Sequence, residues 1–261
     1  MIKLIASDLD GTLLQNGAQD LTPEVIDFIE KLATEHGIIF VAASGRQYPN
    51  LKRLFGKASK HMAFICENGA VVFYRDKLLC ADAMDCEVAM EICRDILAAD
   101  GCEALISGLQ TSYLVPKEER FVHRIKHIIK NDTQLLQALE EMPEDFYKVS
   151  VYEISGIKEG HGPYFIEKHS DKAKCTISGR GWLDFVRPDV HKGSAMQHLQ
   201  EVLNISPDEC AAFGDNYNDL EMLDCVKYGY VMDNAVEEIR SRYQYHCKDV
   251  VTAIREELLK K

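Results

Sequence analysis

Short apolar runs alternate with amphipathic segments along the first part of the chain. The runs predict buried strands over residues 3–7, 38–43 and 63–66. Helical spacing of apolar residues predicts a helix that begins at Thr22-Pro23 and ends near Gly37, and a second helix through 51–55. A hairpin is expected over 71–81. The order β-α-β-α-β is typical of a parallel sheet with right-handed crossovers.

The pattern changes after residue 81 and returns near residue 187. Between these points the sequence predicts helices over 87–99, 119–130, 135–140 and 163–169. It predicts strands over 103–107, 112–115, 148–154, 174–177 and 183–186. Beyond Lys192 it predicts helices over 194–203, 220–225 and 250–259, with strands over 210–213 and 228–231.

This pattern predicts an α/β fold with two domains. Residues 1–81 plus 187–261 form a doubly wound, parallel-sheet core of the Rossmann-like type, and residues 82–186 form an inserted α+β domain. Ligands of such sheets bind at the carboxyl ends of the strands, near the point where the strand order reverses. The loops that follow Ser7, Ala43 and Phe213 are therefore the candidate functional loops.

Composition narrows the class of protein. The 261 residues carry 30 Lys and Arg against 42 Asp and Glu, a formal net charge of −12. This balance argues against a nucleic-acid partner, because the phosphates would be repelled without a basic patch. No apolar run approaches the ~20 residues of a membrane span, so no membrane partner is expected. The oligomeric state cannot be derived from the sequence.

Cysteine usage and the amino terminus both favour a cytoplasmic protein. The nine cysteines are an odd number without a Cys-x-x-Cys pair, and most lie in apolar segments, which predicts reduced thiols. The apolar stretch at 1–6 is too short for a signal peptide and meets Asp8 at once.

Acidic residues follow the first and the later core strands. Asp8 and Asp10 alternate in an extended segment, so their side chains are expected to share one site, where a hard cation such as Mg²⁺ would relieve their repulsion. Asp215 and Asp219 follow the strand at 210–213. Each segment also has a purely structural explanation when it is taken singly. The first could be an Asp-Gly turn, and the second an Asx turn with a helix cap.

Anion-binding groups follow the second strand and open a later helix. Ser44, Gly45 and Arg46 offer a hydroxyl, backbone N–H groups and a guanidinium, and Lys192 stands at another helix start. Each is weak alone, since a Ser-Gly turn and a solvated lysine are common. Together with the carboxylates they form a set that suits a phosphoryl group held between a cation and fixed donors.

In these motifs the chain resembles the haloacid dehalogenase superfamily, and specifically its Cof-type phosphatases with a large αβ cap. The matching segments are Ser7-Asp8-Leu9-Asp10-Gly11-Thr12-Leu13-Leu14, Ala43-Ser44-Gly45-Arg46, Glu67-Asn68-Gly69-Ala70, Lys192-Gly193 and Gly214-Asp215-Asn216-Tyr217-Asn218-Asp219-Leu220-Glu221-Met222-Leu223. Their order and spacing match over the whole core, whereas the insert matches only in length and pattern.

The resemblance implies hydrolysis of small phosphorylated metabolites, such as sugar phosphates, through an aspartyl phosphate. Asp8 would be the nucleophile and Asp10 the general acid and base, a group that a dehalogenase would not need. Ser44, the Gly45 backbone and Lys192 would hold the transferring phosphoryl group.

The resemblance also implies a Mg²⁺ cofactor and residues that surround the substrate. Asp8, the Asp10 carbonyl and Asp215 would ligate the metal, while Asp219 supports the loop and reaches the metal through water. Asn218 would contact the phosphate, and Arg46 and Asn68 would face the substrate. The chain departs from the family at Asp233, where glycine is common, and over 246–251, where an Asp-Gly-Val segment is usual.

Two alternative functions stay open from the sequence. A phosphotransferase or mutase of the same fold would replace water by a sugar hydroxyl. A non-enzymatic phospho-acceptor is the other, although such receivers are about half this length and have no insert. His123 and His127 stand four apart on a predicted helix, but no third metal ligand accompanies them, which favours a solvated basic stripe.

Overall fold

The computed structural model describes residues 1–260 and divides them into two units. Unit 1 comprises Met1–Arg46, Leu51–Leu79 and the chain from His191 onwards, and unit 2 comprises Gln47–Asn50 and Cys80–Val190. These boundaries lie within a few residues of positions 82 and 186, and the short segment Gln47–Asn50 of unit 2 has no counterpart in the sequence-based division.

The strands, in chain order, are β1 (Leu4–Ser7), β2 (Ile39–Ala43), β3 (Ala63–Cys66), β4 (Val71–Tyr74), β5 (Lys77–Ala81), β6 (Cys102–Ser107), β7 (Ser112–Leu114), β8 (Thr133–Leu135), β9 (Lys148–Glu153), β10 (Lys174–Gly179), β11 (Trp182–Val186), β12 (Cys210–Gly214), β13 (Tyr228–Met232) and β14 (Tyr245–Cys247).

The α-helices are α1 (Pro23–Thr34), α2 (Tyr48–Phe55), α3 (Cys86–Ala98), α4 (Glu119–His123), α5 (Gly162–His169), α6 (Lys192–Leu203), α7 (Leu220–Asp224), α8 (Glu237–Arg240) and α9 (Val250–Ala253). Two of them continue as π-helical turns, α4 through Arg124–Ile129 and α9 through Ile254–Leu258.

The sheet of unit 1 has the strand order β14-β13-β12-β1-β2-β3-β4-β5. From β14 to β3 all neighbours are parallel, and β4 pairs with β3 in the antiparallel direction. The chain leaves β1 for β2 on one side and later returns to β12 on the other side. The strand order therefore reverses at β1, which is where a ligand is expected. The predicted α/β class with a parallel, Rossmann-like core is confirmed.

Unit 2 contains a sheet of order β10-β11-β9-β6-β7-β8, antiparallel except for the parallel pair β7–β8. Helices α3 and α5 bury their apolar side chains in one core with β6, β9 and β11. Members of this core include Ile92, Ile96, Phe165 and Phe185. Unit 2 therefore has a hydrophobic core of its own.

One predicted helix in this region is wrong. A short helix was predicted over 135–140, but Thr133–Leu135 is a strand and Leu139–Glu141 is a short 3₁₀ turn. Parallel pairing of β8 with β7 supplies the backbone hydrogen bonds that a helix would have formed, so tertiary context overrides local propensity here. The helix α8 and the strand β14 were not predicted.

The described cysteines are all free, as predicted. Four of them are buried, four are partly buried and Cys86 is exposed. None of the helices in residues 1–260 combines the length and the apolar character that crossing a membrane requires.

Candidate active site

Three neighbouring strands of unit 1 deliver the candidate residues to one edge of the sheet. Ser7 at the end of β1 aligns with Ala42 of β2 on one side and with Phe213 of β12 on the other. Asp8 continues this ladder, because its backbone N–H donates to the carbonyl of Phe213 at 2.9 Å. The loops carrying Asp8, Ser44 and Asp215 therefore begin at the same level of the sheet.

A buried lysine joins two of the carboxylates. The Nζ atom of Lys192, at the start of α6, lies 2.5 Å from Oδ1 of Asp8 and 2.6 Å from Oδ1 of Asp219. The Lys192 side chain is 1% exposed and that of Asp219 is fully buried. Burial lowers the pKa of Lys192, but the two carboxylates outweigh it and raise the pKa above its ordinary value. The ammonium group therefore stays charged inside the protein.

Asp219 orders the loop that follows β12. Its Oδ2 accepts hydrogen bonds from the backbone N–H groups of Asp215 and Asn216, at 3.0 and 3.1 Å. A side chain at Gly214 would meet the Asp219 carboxylate, so the glycine permits this close turn. Both carboxylate oxygens of Asp219 are thus engaged, one by the loop and one by Lys192. This geometry gives Asp219 a positioning role.

Asp215 is held against the loop after β1. Its Oδ1 accepts from the Thr12 hydroxyl at 2.8 Å, and its Oδ2 accepts from the Asn234 amide at 3.3 Å. The same amide donates to the carbonyl of Gly11 at 3.0 Å. Burial raises the pKa of the Asp215 carboxyl, although the hydrogen bond from Thr12 opposes the shift. Thr12 and Asn234 therefore fix this carboxylate in place.

The clustered carboxylates fit a hard divalent cation. One oxygen from each of Asp8, Asp215 and Asp219 lies within 4.8 Å of the others. Burial raises the pKa of Asp8, Lys192 lowers it, and Asp219 and Asp215 raise it further, so that the pKa ends well above its ordinary value. A bound cation would favour the ionised form instead, and oxygen ligands of this kind are those that Mg²⁺ prefers.

Asp10 lies apart from this cluster. Its side chain is 58% exposed and forms a bidentate pair with Arg46, with Nη2 to Oδ1 at 2.6 Å and Nε to Oδ2 at 3.1 Å. The sequence placed Asp8 and Asp10 in one site because residues alternate along a strand. In the structure β1 ends at Ser7, and the turn closed by Gly11 and Leu14 directs the Asp10 carboxylate towards the loop of β2.

The Ser44 loop packs against the turn after β3. Ser44 is buried, and its hydroxyl accepts from the backbone N–H of Arg46 at 3.2 Å. The backbone N–H of Asn68 donates to the Ser44 carbonyl at 3.1 Å, and a side chain at Gly45 would lie 3.0 Å from the Asn68 amide oxygen. Asn68 thus packs against the backbone of Ser44 and Gly45 and holds it in place. Asn218 is half-buried on the turn before α7.

Residues 5–252 match the haloacid dehalogenase-like hydrolase family. This chain belongs to that family. The predicted family is therefore confirmed, and the protein is a hydrolase.

Individual relatives of this hydrolase are named as phosphatases. It is 25% identical over 244 residues to the 5-amino-6-(5-phospho-D-ribitylamino)uracil phosphatase of Escherichia coli (strain K12), covering 94% of this chain and 90% of that protein. It is 26% identical to the HMP-PP phosphatase of Serratia proteamaculans (strain 568), covering 92% of this chain and 87% of that protein. The structure of a haloacid dehalogenase-like hydrolase from B. subtilis has the same fold, with a TM-score of 0.82, 22% identity and coverage of 98% and 100%.

Three residues that support the candidate site were not identified from the sequence. Thr12 and Asn234 bind Asp215, and His191 caps α6 by accepting from the backbone N–H of Ser194 at 3.1 Å. Thr12 belongs to the same motif as Asp8 and Asp10, and its hydroxyl marks it as a possible hydrogen-bond donor to a nearby carboxylate. Asn234 follows the atypical Asp233, whose own carbonyl accepts from Arg240 at 3.1 Å. Nothing local in the sequence marks Asn234 as a neighbour of Asp215.

Proposed function

We propose that this hydrolase is a Mg²⁺-dependent phosphatase of small phosphorylated metabolites that acts through an aspartyl phosphate on Asp8. The observation that carries the proposal is the buried Lys192, which holds Asp8 and Asp219 together beside Asp215. A buried cation among three carboxylates suits the transfer of an anionic group. The names of the relatives support a phosphate monoester as the substrate class.

Asp8 and Asp215 would hold the metal ion directly, with the Asp10 carbonyl as a further oxygen ligand. Both carboxylate oxygens of Asp219 are already engaged, one by Lys192 and one by the Asp215 loop. Asp219 would therefore support the metal site indirectly, by holding these two groups in place. When bound, Mg²⁺ would neutralise charge on the phosphoryl oxygens and let an anionic substrate approach an anionic nucleophile.

The reaction would proceed in two displacements. Lys192 holds Oδ1 of Asp8, so that the carboxylate is oriented for its other oxygen to attack phosphorus. Once it is released from Arg46, the Asp10 carboxylate takes up a proton from solvent. As the bond to the leaving oxygen breaks, Asp10 donates this proton to that oxygen. Water then attacks the phosphorus of the aspartyl phosphate and gives its proton to Asp10, which releases phosphate and restores Asp8. Ser44 and the Gly45 backbone would hold the transferring group throughout.

Arg46 would control when Asp10 takes part. In the structure the guanidinium engages both carboxylate oxygens of Asp10. To serve as an acid, Asp10 has to leave this pair and face the leaving oxygen. The anionic substrate offers Arg46 another partner, because a guanidinium binds phosphate and carboxylate in the same bidentate manner.

Unit 2 would select the substrate, as expected for an inserted cap. Substitutions in unit 2 should then change the order of kcat/KM among substrates, whereas substitutions at Asp215 should slow all substrates alike. A panel of phosphorylated metabolites, assayed with one variant of each kind, tests this division of roles. If unit 2 variants scaled all substrates equally, the selection would lie elsewhere.

The decisive experiment measures phosphate release from such a panel with and without Mg²⁺. Asp8→Asn should abolish turnover and leave the fold intact, because the two side chains are nearly isosteric. Asp20→Asn, which changes an exposed aspartate, is the matched control and should keep full activity. Full activity in purified Asp8→Asn protein would overturn the proposed nucleophile. Phosphoryl transfer to a sugar without phosphate release would indicate the phosphotransferase instead.

A further inference from the structure

A cysteine, a glutamate and a histidine converge at one end of the unit 2 sheet. Cys102 opens β6 and Glu153 ends β9, and the two residues are directly paired in the antiparallel ladder. Paired residues point to the same face of a sheet, with neighbouring Cβ atoms. His161 reaches the same point from the loop before α5. None of the three belongs to the candidate active site.

The three side chains meet at a single nitrogen atom. Nδ1 of His161 lies 3.5 Å from Sγ of Cys102 and 3.2 Å from Oε1 of Glu153. A catalytic triad would need the thiol and the carboxylate on different ring nitrogens, since the imidazole must pass a proton from one side to the other. One ligand atom from each of the three residues lies within 4.8 Å of the others, which is the proximity that ligands of one metal ion require.

The separations fit tetrahedral zinc. With Zn–S near 2.3 Å and Zn–N near 2.0–2.1 Å, neighbouring ligand atoms lie roughly 3.4–3.6 Å apart. The two separations at Nδ1 are close to these values, and one ligand atom from each residue lies within 4.8 Å of the others. Thiolate, imidazole and carboxylate together are a ligand set that zinc accepts.

The surrounding loop fixes the ligands in place. The backbone N–H of His161 donates to Oε2 of Glu153 at 2.8 Å, and the Ser155 hydroxyl donates to Oε1 at 3.0 Å. A side chain at Gly160 would meet the Glu153 carboxylate, so the loop backbone packs directly on it. Such outer hydrogen bonds orient a metal-binding carboxylate.

Two of the three side chains are buried and the third reaches the surface, as expected for a metal site that an ion can enter. Cys102 and Glu153 are buried, whereas the His161 side chain is 40% exposed, which leaves an entry path and room for a water ligand. Burial raises the pKa of the Cys102 thiol to about 11, and the Glu153 charge adds to the shift. The thiol therefore keeps its proton until a cation compensates the thiolate.

We propose that Cys102, Glu153 and His161 form a zinc site within unit 2, with water as the fourth ligand. On binding, the Cys102 thiol loses its proton to solvent, and the imidazole proton resides on Nε2 so that Nδ1 presents its lone pair to the metal. The ion links the ends of β6 and β9 to the start of α5. Zinc therefore stabilises unit 2 and takes no part in the hydrolysis proposed for unit 1.

The test uses Co²⁺ as a spectroscopic substitute for zinc on the full-length protein, with excess Mg²⁺ present to occupy the carboxylate cluster. We expect tetrahedral d–d bands and a near-ultraviolet thiolate-to-cobalt band at one equivalent, both displaced by Zn²⁺. The carboxylate cluster of Asp8, Asp215 and Asp219 contains no sulfur and cannot produce the thiolate band. Absence of this band would overturn the proposal.

Variants locate the ligands. Cys102→Ser should remove the thiolate band, and His161→Gln should weaken Co²⁺ binding by more than about tenfold, the lower end of the loss that even an outer-sphere change causes. Cys86→Ser and His127→Gln are the matched controls, since they remove an exposed thiol and an exposed histidine of unit 2 and should leave the spectrum unchanged. A band that survives Cys102→Ser, or that disappears in Cys86→Ser, would contradict the assignment.

Thermal unfolding gives an independent readout. Zn²⁺ should raise the Tm of the wild-type protein and of Cys86→Ser, because a ligand that binds the folded state stabilises it. It should leave the Tm of His161→Gln nearly unchanged. His161 lies at the surface, so this variant should fold even if Cys102→Ser does not. An equal rise in Tm for His161→Gln and wild type would refute the site.

Discussion

At the residue scale, the buried ammonium of Lys192 decides the charge balance of the site. It contacts two carboxylates at 2.5 and 2.6 Å and is almost inaccessible to water. Each carboxylate would be an uncompensated buried charge without it. Lys192 therefore contributes to the stability of unit 1 as well as to the proposed binding of the phosphoryl group.

We expect Lys192→Met to abolish turnover and to lower the free energy of unfolding by about 3–5 kcal/mol, the usual cost of breaking a buried ion pair. Denaturant unfolding of the metal-free protein measures this change. Lys227→Met is the control, because Lys227 pairs with Asp208 at the surface and its loss should leave stability nearly unchanged. Equal stability of Lys192→Met and wild type would show that the contacts of Lys192 with Asp8 and Asp219 contribute nothing to folding.

Asp10 differs from Asp8 in its surroundings, and its role should depend on the leaving group. Asp10→Asn should slow the first step severely with a sugar phosphate, whose alkoxide needs a proton, and much less with p-nitrophenyl phosphate. The second step still needs a base for water, which is typically worth ~10²–10⁴-fold. Rapid quench with labelled p-nitrophenyl phosphate should therefore show aspartyl phosphate accumulating on Asp8.

Two results would contradict this role for Asp10. Equal losses of the first step with both leaving groups would mean that Asp10 only positions other groups. Full activity of Asp10→Asn with the sugar phosphate would assign the proton to another donor. Asp20→Asn again serves as the control, since Asp20 is exposed and its substitution should alter neither step.

At the element scale, the turn after β3 supports the start of α6. Glu67, Asn68 and Gly69 all have positive φ, at 50°, 58° and 116°. A Cβ atom at Gly69 would meet the backbone carbonyl of His191, the residue that caps α6. The turn therefore needs glycine at position 69 to bring its backbone close to His191 at the start of α6.

Gly69→Ala should displace the start of α6 and reduce kcat as well as stability. Gly37→Ala is the matched control, because Gly37 also has positive φ, at 68°, but has open space around it. The control should show only the cost of the left-handed backbone, about 1–2 kcal/mol, with unchanged kcat. If the two variants lost the same stability and kept the same kcat, the contact with His191 would have no effect on the site.

Local sequence is sufficient to predict some helices and strands of this protein but not others. Helix α1 follows the predicted pattern, with Thr22 as its cap and Pro23 in its first turn. The helix predicted over 119–130 instead becomes α4 and a π-helical turn that ends at Lys130 with φ of 63°. Strand β14 has three residues, too few to show a period, and is defined by its pairing with β13.

At the scale of the whole molecule, the metal proposed for unit 1 should matter for activity and little for folding. The sheet of unit 1 is built largely from buried apolar residues, which need no ion to pack. Lys192 already compensates part of the negative charge around Asp8. The fold should therefore survive the loss of the metal.

Chelation should stop phosphate release and leave the far-ultraviolet circular dichroism spectrum nearly unchanged. Added Mg²⁺ should restore the rate, whereas Ca²⁺ should restore little, because its looser coordination places nucleophile and phosphate less accurately. The readouts are phosphate release and the spectrum of one sample, before and after chelation. Unchanged turnover after exhaustive chelation would end the proposal of a metal-dependent reaction.

The sequence by itself determined which segments form the core strands and which loops after them carry the candidate residues. Apolar runs fix which segments are buried, and polar residues directly after them must lie at the carboxyl edge of a parallel sheet. Asp8, Ser44, Asp215 and Asp219 were identified in this way. These inferences succeed because they depend on a short stretch of chain and on one general property of parallel sheets.

Tertiary structure alone decided which side chains meet. Arg46 pairs with Asp10, Asn234 binds Asp215, and Lys192 bridges Asp8 and Asp219 across separations in sequence that no local pattern encodes. Cys102 and Glu153 meet only because β6 and β9 pair in one register. Such contacts depend on the packing of distant segments, since a shift of one residue in a strand turns its side chains to the other face.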